Sequence, residues 1–157
     1  MYPRTLAAVL VALCTLQASA QIYERAFPRG FSFVLPLDSG PALLRQCSRS
    51  TPKNVTGYWE PSERDVQAME SALVKYLGSL AVDESPARRA RFHRQYIGIV
   101  REGVRLIYGS FYSGAEQGVD NERVRPVIVC DGGAYIWGIV YDPVLELFSE
   151  LALNGIA

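Results

Sequence analysis

The stretch Tyr96-Ile97-Gly98-Ile99-Val100-Arg101-Glu102-Gly103-Val104-Arg105-Leu106-Ile107-Tyr108 reads as two strands folded back on each other. Its β-branched and aromatic residues suit a pleated surface, and Glu102-Gly103 supplies a two-residue turn in which glycine adopts positive φ at little cost. Pairing Arg101 with Val104 sets the register. Ile97, Ile99, Val104, Leu106 and Tyr108 then share one face, while Tyr96, Gly98, Val100, Arg105, Ile107, Gly109 and Phe111 take the other. Tyr96 falls opposite Gly109 and Gly98 opposite Ile107, so large side chains have bare backbone to lie over. The first face is the expected seat of a helix.

That helix is predicted at 62–80. Val66, Met69, Leu73, Tyr76, Leu77 and Leu80 recur at three- and four-residue steps, Ser62 and Asp65 have the spacing of a capping box, and Glu63 and Asp65 complement the helix dipole. Downstream, 127–130 and 135–141 predict a second hairpin around Asp131-Gly132-Gly133-Ala134, with Cys130, Tyr135, Trp137 and Ile139 on one face. Asp142-Pro143 opens either a helix or a turn into a last strand. The strand is the expectation, because 135–141 needs an antiparallel neighbour. Upstream, 31–37 is broken by Pro36 and reads as an edge strand or extended arm. Ser39-Gly40-Pro41 starts a short helix ending near Cys47. Residues 48–57 form a loop in which Asn54-Val55-Thr56 matches the N-glycosylation pattern. The sum is an α+β domain with one long amphipathic helix packed on a curved antiparallel sheet of four to five strands, plus a short N-terminal helix.

The 157 residues carry 16 basic and 16 acidic side chains, with about half of the chain apolar, a globular composition. Residues 1–20 read as a secretory signal peptide: Arg4 is the positive end, 6–16 the apolar run and Ala18-Ser19-Ala20 the cleavage site. A single domain at 21–157 is expected, with a formal charge near neutrality and no field to draw it to nucleic acid. No later stretch has the length of a membrane span. Removal of Cys14 with the leader leaves Cys47 and Cys130 in an oxidising compartment, where a disulfide is the natural pairing, worth about 4 to 5 kcal/mol in the chain-entropy picture. The arginine-rich basic complement suits a GC-rich genome and therefore a bacterial periplasm, or secretion.

His93 is the one histidine, among Arg88, Arg89, Arg91 and Arg94, and the cluster reads either as a solvated turn or as a seat for an anion. Cys130-Asp131-Gly132-Gly133 reads as a hairpin turn above a disulfide or, with His93, as the centre of a small secreted hydrolase. Glu60, Glu63 and Asp65 resemble paired carboxylates, but helix-start acids are the simpler account. Neither a metal site nor a cofactor is expected; Asp120, Asn121 and Glu122 lack the spacing of a calcium loop. The aromatic set, Tyr58, Trp59, Tyr96, Tyr108, Phe111, Tyr112, Tyr135, Trp137 and Tyr141, gives two apolar sheet faces and only one helix to cover them. The second face is then closed by residues 22–37, by a homodimer partner, or by a ligand. The leading expectation is a non-enzymatic binding module for a protein or cell-envelope ligand, with inhibitor or immunity type as one form, contacting it through Arg88, Arg91, His93, Arg94, Tyr96, Tyr135 and Trp137. A structural envelope protein is the third alternative.

Overall fold

A computed structural model describes residues 27, 30–80, 86, 91–113 and 119–156. The predicted leader, Arg88 and Arg89 lie outside them. In chain order the elements are β1 (Ser32–Val34), a 3-10 turn (Leu37–Ser39) running into α1 (Gly40–Leu43), β2 (Gly57–Trp59), α2 (Glu63–Ser79), β3 (His93–Arg101), β4 (Val104–Tyr112), α3 (Val119–Glu122), a 3-10 turn (Gly133–Tyr135), β5 (Ile136–Asp142) and β6 (Leu147–Leu153).

The β3–β4 hairpin pairs Arg101 with Val104, Tyr96 with Gly109 and Gly98 with Ile107. Glu102 and Gly103 both take positive φ, as a turn matching the strand twist requires. The sheet is larger than expected and is not purely antiparallel. It is a six-stranded mixed sheet of order β1-β3-β4-β5-β6, with β2 also on β3. β1 runs parallel to one half of β3, Ser32 opposite Arg94, and β2 antiparallel to the other half, Trp59 opposite Gly98. Two three-residue strands thus cover one long edge end to end. Segments so short carry no readable alternation, which is why the expectation of four to five antiparallel strands fell short. The fold is sheet-rich, and among the described residues the longest helix is the 17-residue α2.

The predicted second hairpin is absent. Residues 127–130 form no strand, because side chains satisfy their backbone: Gln95 Oε1 accepts from Val127 N at 2.8 Å, and Asn154 Nδ2 donates to Val129 O at 2.6 Å. β5 instead pairs with β4, Phe111 opposite Trp137, and with β6, Tyr141 opposite Phe148. The last segment is therefore a strand, as expected. Its pairing shifts between Gly138 and Val140, where Glu150 takes φ 55°, a bulge that strengthens the twist. The sheet coils strongly. Arg101 of β3 forms an ion pair with Glu150 of β6, although three strand spacings, about 14 Å in a flat sheet, separate the two strands.

The expected helix position also needs correction. α2 starts at the Ser62–Asp65 capping box, with Asp65 Oδ2 accepting from Ser62 N at 2.8 Å. It lies on the opposite face from the one predicted. Val66, Met69, Leu73 and Leu77 pack with Tyr96, Ile107, Phe111, Trp137, Ile139 and Tyr141. The glycines decide this. A side chain at Gly109 would meet Met69, Tyr96 and Phe111, and one at Gly98 would meet Trp59, so the bare backbone supplies volume for the helix and the rings. The face with Ile97, Ile99, Leu106, Tyr108 and Val140 is closed by Leu35, Leu43, Leu44, Val55 and Tyr58.

Candidate functional site

Burial of the rings dictates where recognition is possible. Tyr96, Tyr108, Phe111, Tyr112, Trp137 and Tyr141 are all buried, and the Phe111 and Trp137 rings stack at 3.7 Å. Tyr58 and Trp59 are half-buried, and the Trp59 indole donates to Ile99 O and Leu106 O. Tyr135 alone of the nine presents half of its surface. The aromatic face anticipated as a contact surface is thus the protein's own core.

The basic cluster is divided by strand alternation. Consecutive residues of β3 point to opposite faces, so Arg94 and His93 part company. Arg94 is buried on the helix side, where Glu70 Oε1 accepts from Arg94 Nε, Tyr96 Oη and Ser32 Oγ, each at 2.9 Å. One carboxylate oxygen so joins α2 to β1 and β3. His93 turns to the other face. Its Nδ1 lies 2.8 Å from Oε2 of Glu122, which is fully buried, and its ring stands 4.2 Å from Phe31 and 5.6 Å from Tyr112. Burial, and then the Glu122 carboxylate, push the Tyr112 hydroxyl far above the usual tyrosine range. Arg91 is exposed. Tyr96 and Trp137 are therefore not brought to a surface shared with His93, Arg91 or Tyr135.

A histidine steered by a buried carboxylate is chemically capable of acting as a base. The nucleophile assigned to it from sequence is unavailable: Cys130 is bonded to Cys47. The hydrolase grouping of His93, Cys130 and Asp131 lacks its thiolate on that ground. Among the described residues, no three His, Cys, Asp or Glu side chains come together as a metal site, and Glu122 is spent on His93.

Sequence reasoning missed a set of buried polar residues. Arg49 donates to Asn154 Oδ1 at 2.8 Å, Ser110 Oγ at 2.8 Å and Tyr108 Oη at 3.2 Å, a guanidinium bound by three neutral acceptors. Gln95 binds the backbone of Glu122, Arg125 and Val127. Asn154 donates to Val129 O and Asp131 O on either side of Cys130. Such residue types are mostly exposed, so composition gave no signal beyond Gln95 standing inside an apolar strand.

The β5–β6 turn, one of the two readings of Asp142-Pro143, is present, and what the sequence reading did not bring out is its apolar tip. Asp142 Oδ1 accepts from Val144 N at 2.8 Å and Leu145 N at 3.0 Å, and Glu146 takes φ 55°, so the turn is braced by its own side chain and backbone. Yet its tip is apolar. Val144 is 83% exposed, Leu145 64% and Leu147 62%, and exposed Val104 belongs to the neighbouring turn at the same end of the sheet. Glu102, Asp142 and Glu146 stand at this end together with Arg101 and the exposed Arg105, so its charge is mixed. The signal was present as Val-Leu where turns usually hold Gly, Asn, Asp or Ser.

Compared with known proteins, the chain matches no family model, no curated protein and no solved structure. Among the described residues no helix is long and apolar enough to cross a membrane.

Proposed function

We propose that this chain is a non-enzymatic recognition module of the periplasm or the extracellular space, which docks its β5–β6 turn into a concave, apolar surface of a protein partner. The observation that carries this reading is the exposure of Val144 and Leu145 at the tip of a turn already braced by Asp142. Adjacent large apolar side chains in water gain free energy when a partner covers them, about 25 cal/mol per Å² of apolar surface. A pre-shaped turn loses little conformational entropy on docking, which is how a small rigid contact reaches useful affinity. This is the chemistry of an inhibitor-type or immunity-type protein, and the Cys47–Cys130 bridge is compatible with work outside the cytoplasm.

The test is site-directed photo-crosslinking in the native host. A photoreactive residue at Leu145 should give a discrete adduct that the same residue at Gln67, on the exposed side of α2, does not. The partner identified by mass spectrometry should bind the purified protein by calorimetry, and Val144→Ser with Leu145→Ser should weaken that binding at least tenfold without moving the melting temperature. Identical adducts from positions 67 and 145, or unchanged affinity in the double variant, would refute the assignment.

A further inference from the structure

At the bridge between Cys47 and Cys130 both half-cystines are solvent-exposed, while Arg49 and Asn154 beside them are buried. The two segments it joins are also tied to a third. Ser48 O, next to Cys47, accepts from Gly155 N at 3.1 Å. Val129 O and Asp131 O, flanking Cys130, accept from Asn154 Nδ2 at 2.6 and 2.9 Å. Arg49 holds Asn154 Oδ1 from below. The sulfur–sulfur bond therefore crosses a junction that hydrogen bonds from residues 154–155 also close.

We propose that Cys47–Cys130 is a thiol-exchange site, opened by thiol reductants from solvent while the domain stays folded. The reductant's thiolate attacks one sulfur, the S–S bond breaks, and the other sulfur leaves as a thiolate that takes a proton from water. A second thiol of the reductant then attacks the mixed disulfide and releases the first cysteine as its thiol. Two electrons and two protons pass to the protein, and the reductant leaves as its own disulfide. A small disulfide such as oxidised glutathione reverses the sequence. The Cα atoms, 5.0 Å apart and held by the Asn154 junction, stay in range for closure.

The experiment treats the full chain with excess dithiothreitol in native buffer, alkylates it with iodoacetamide, and maps the modified peptides. Both Cys47 and Cys130 should be alkylated, the far-UV circular dichroism spectrum should be retained, and the melting temperature should fall by roughly 10 °C. Once the dithiothreitol has been removed by desalting, oxidised glutathione added before alkylation should restore the bridge. Labelling that occurs only after denaturant is added, or a spectrum that collapses on reduction, overturns the proposal. The Cys47→Ser/Cys130→Ser variant provides an independent check: it should fold with the wild-type spectrum, and failure to fold would equally overturn it.

Discussion

The two sides of the sheet are both buried, but they are held by different physics. On the α2 side, Val66, Met69, Leu73 and Leu77 meet a layer of rings centred on Phe111 and Trp137, and stability comes from apolar area and dispersion. On the other side, an apolar patch under Leu35 and Leu43 gives way to Arg49, Gln95, Ser110 and Asn154, whose directional bonds replace strand pairing for residues 124–131. The first side tolerates changes of shape that keep volume. The second tolerates few changes of chemistry, because each donor it loses leaves an acceptor buried and unpaired.

Alkali should break both sides at once. Burial raises the pKa of the Tyr108 and Tyr112 hydroxyls on the polar side and of Tyr141 on the helix side, holding them protonated beyond the usual tyrosine range. An acid whose folded pKa lies above its unfolded value of about 10 gives stability that is complete below that pH and lost as pH climbs beyond it. Absorbance at 295 nm should show these phenols ionising together with cooperative loss of the fold; smooth, independent titration would mean that they are open to solvent. Trp137→Ala comes next in size, removing about 3 to 5 kcal/mol by cavity formation, read from urea unfolding. Arg49→Met keeps volume but strands three acceptors, at a cost of about 2 to 3 kcal/mol. Hydrogen exchange should separate the last two: Trp137→Ala lowers protection globally, whereas Arg49→Met lowers it most around 124–135. Equal patterns would erase the distinction between the sides. The smallest effect is Ser62→Ala, about 1 kcal/mol through loss of the α2 cap, with exchange quickening in the first helical turn.

Periodicity made one side legible. The α2 span, its cap, the β3–β4 register and the split of residues between faces all follow from alternation and turn chemistry written locally in the chain. The choice of face did not follow, because it depended on volume: Gly98 and Gly109 look like gaps in a strand and act as sockets for Trp59, Tyr96 and Met69. β1 lies within 31–37, legible as an edge strand or extended arm though not as a parallel one, whereas β2 escaped because three residues are too few to show a period. The loop at 127–130 has the residues of a strand and lost that identity to the amides of Gln95 and Asn154, partners distant in sequence. For the candidate site, His93 was visible as the lone histidine, whereas Glu122 as its partner was not, since nothing local links residues 29 positions apart. The exposed Val144 and Leu145 were legible as residues but masked by the question of whether their segment was helix or turn.

The bulge at Glu150 has a consequence beyond the shape of one hairpin. β1 and β2 occupy the free side of β3, so among the described residues β6 is the margin at which another chain has room to add. Its backbone is kinked there, which interrupts the regular ladder that a newcomer would have to extend. Copies of this sheet-rich protein are thereby discouraged from zipping into fibrils, even when crowded.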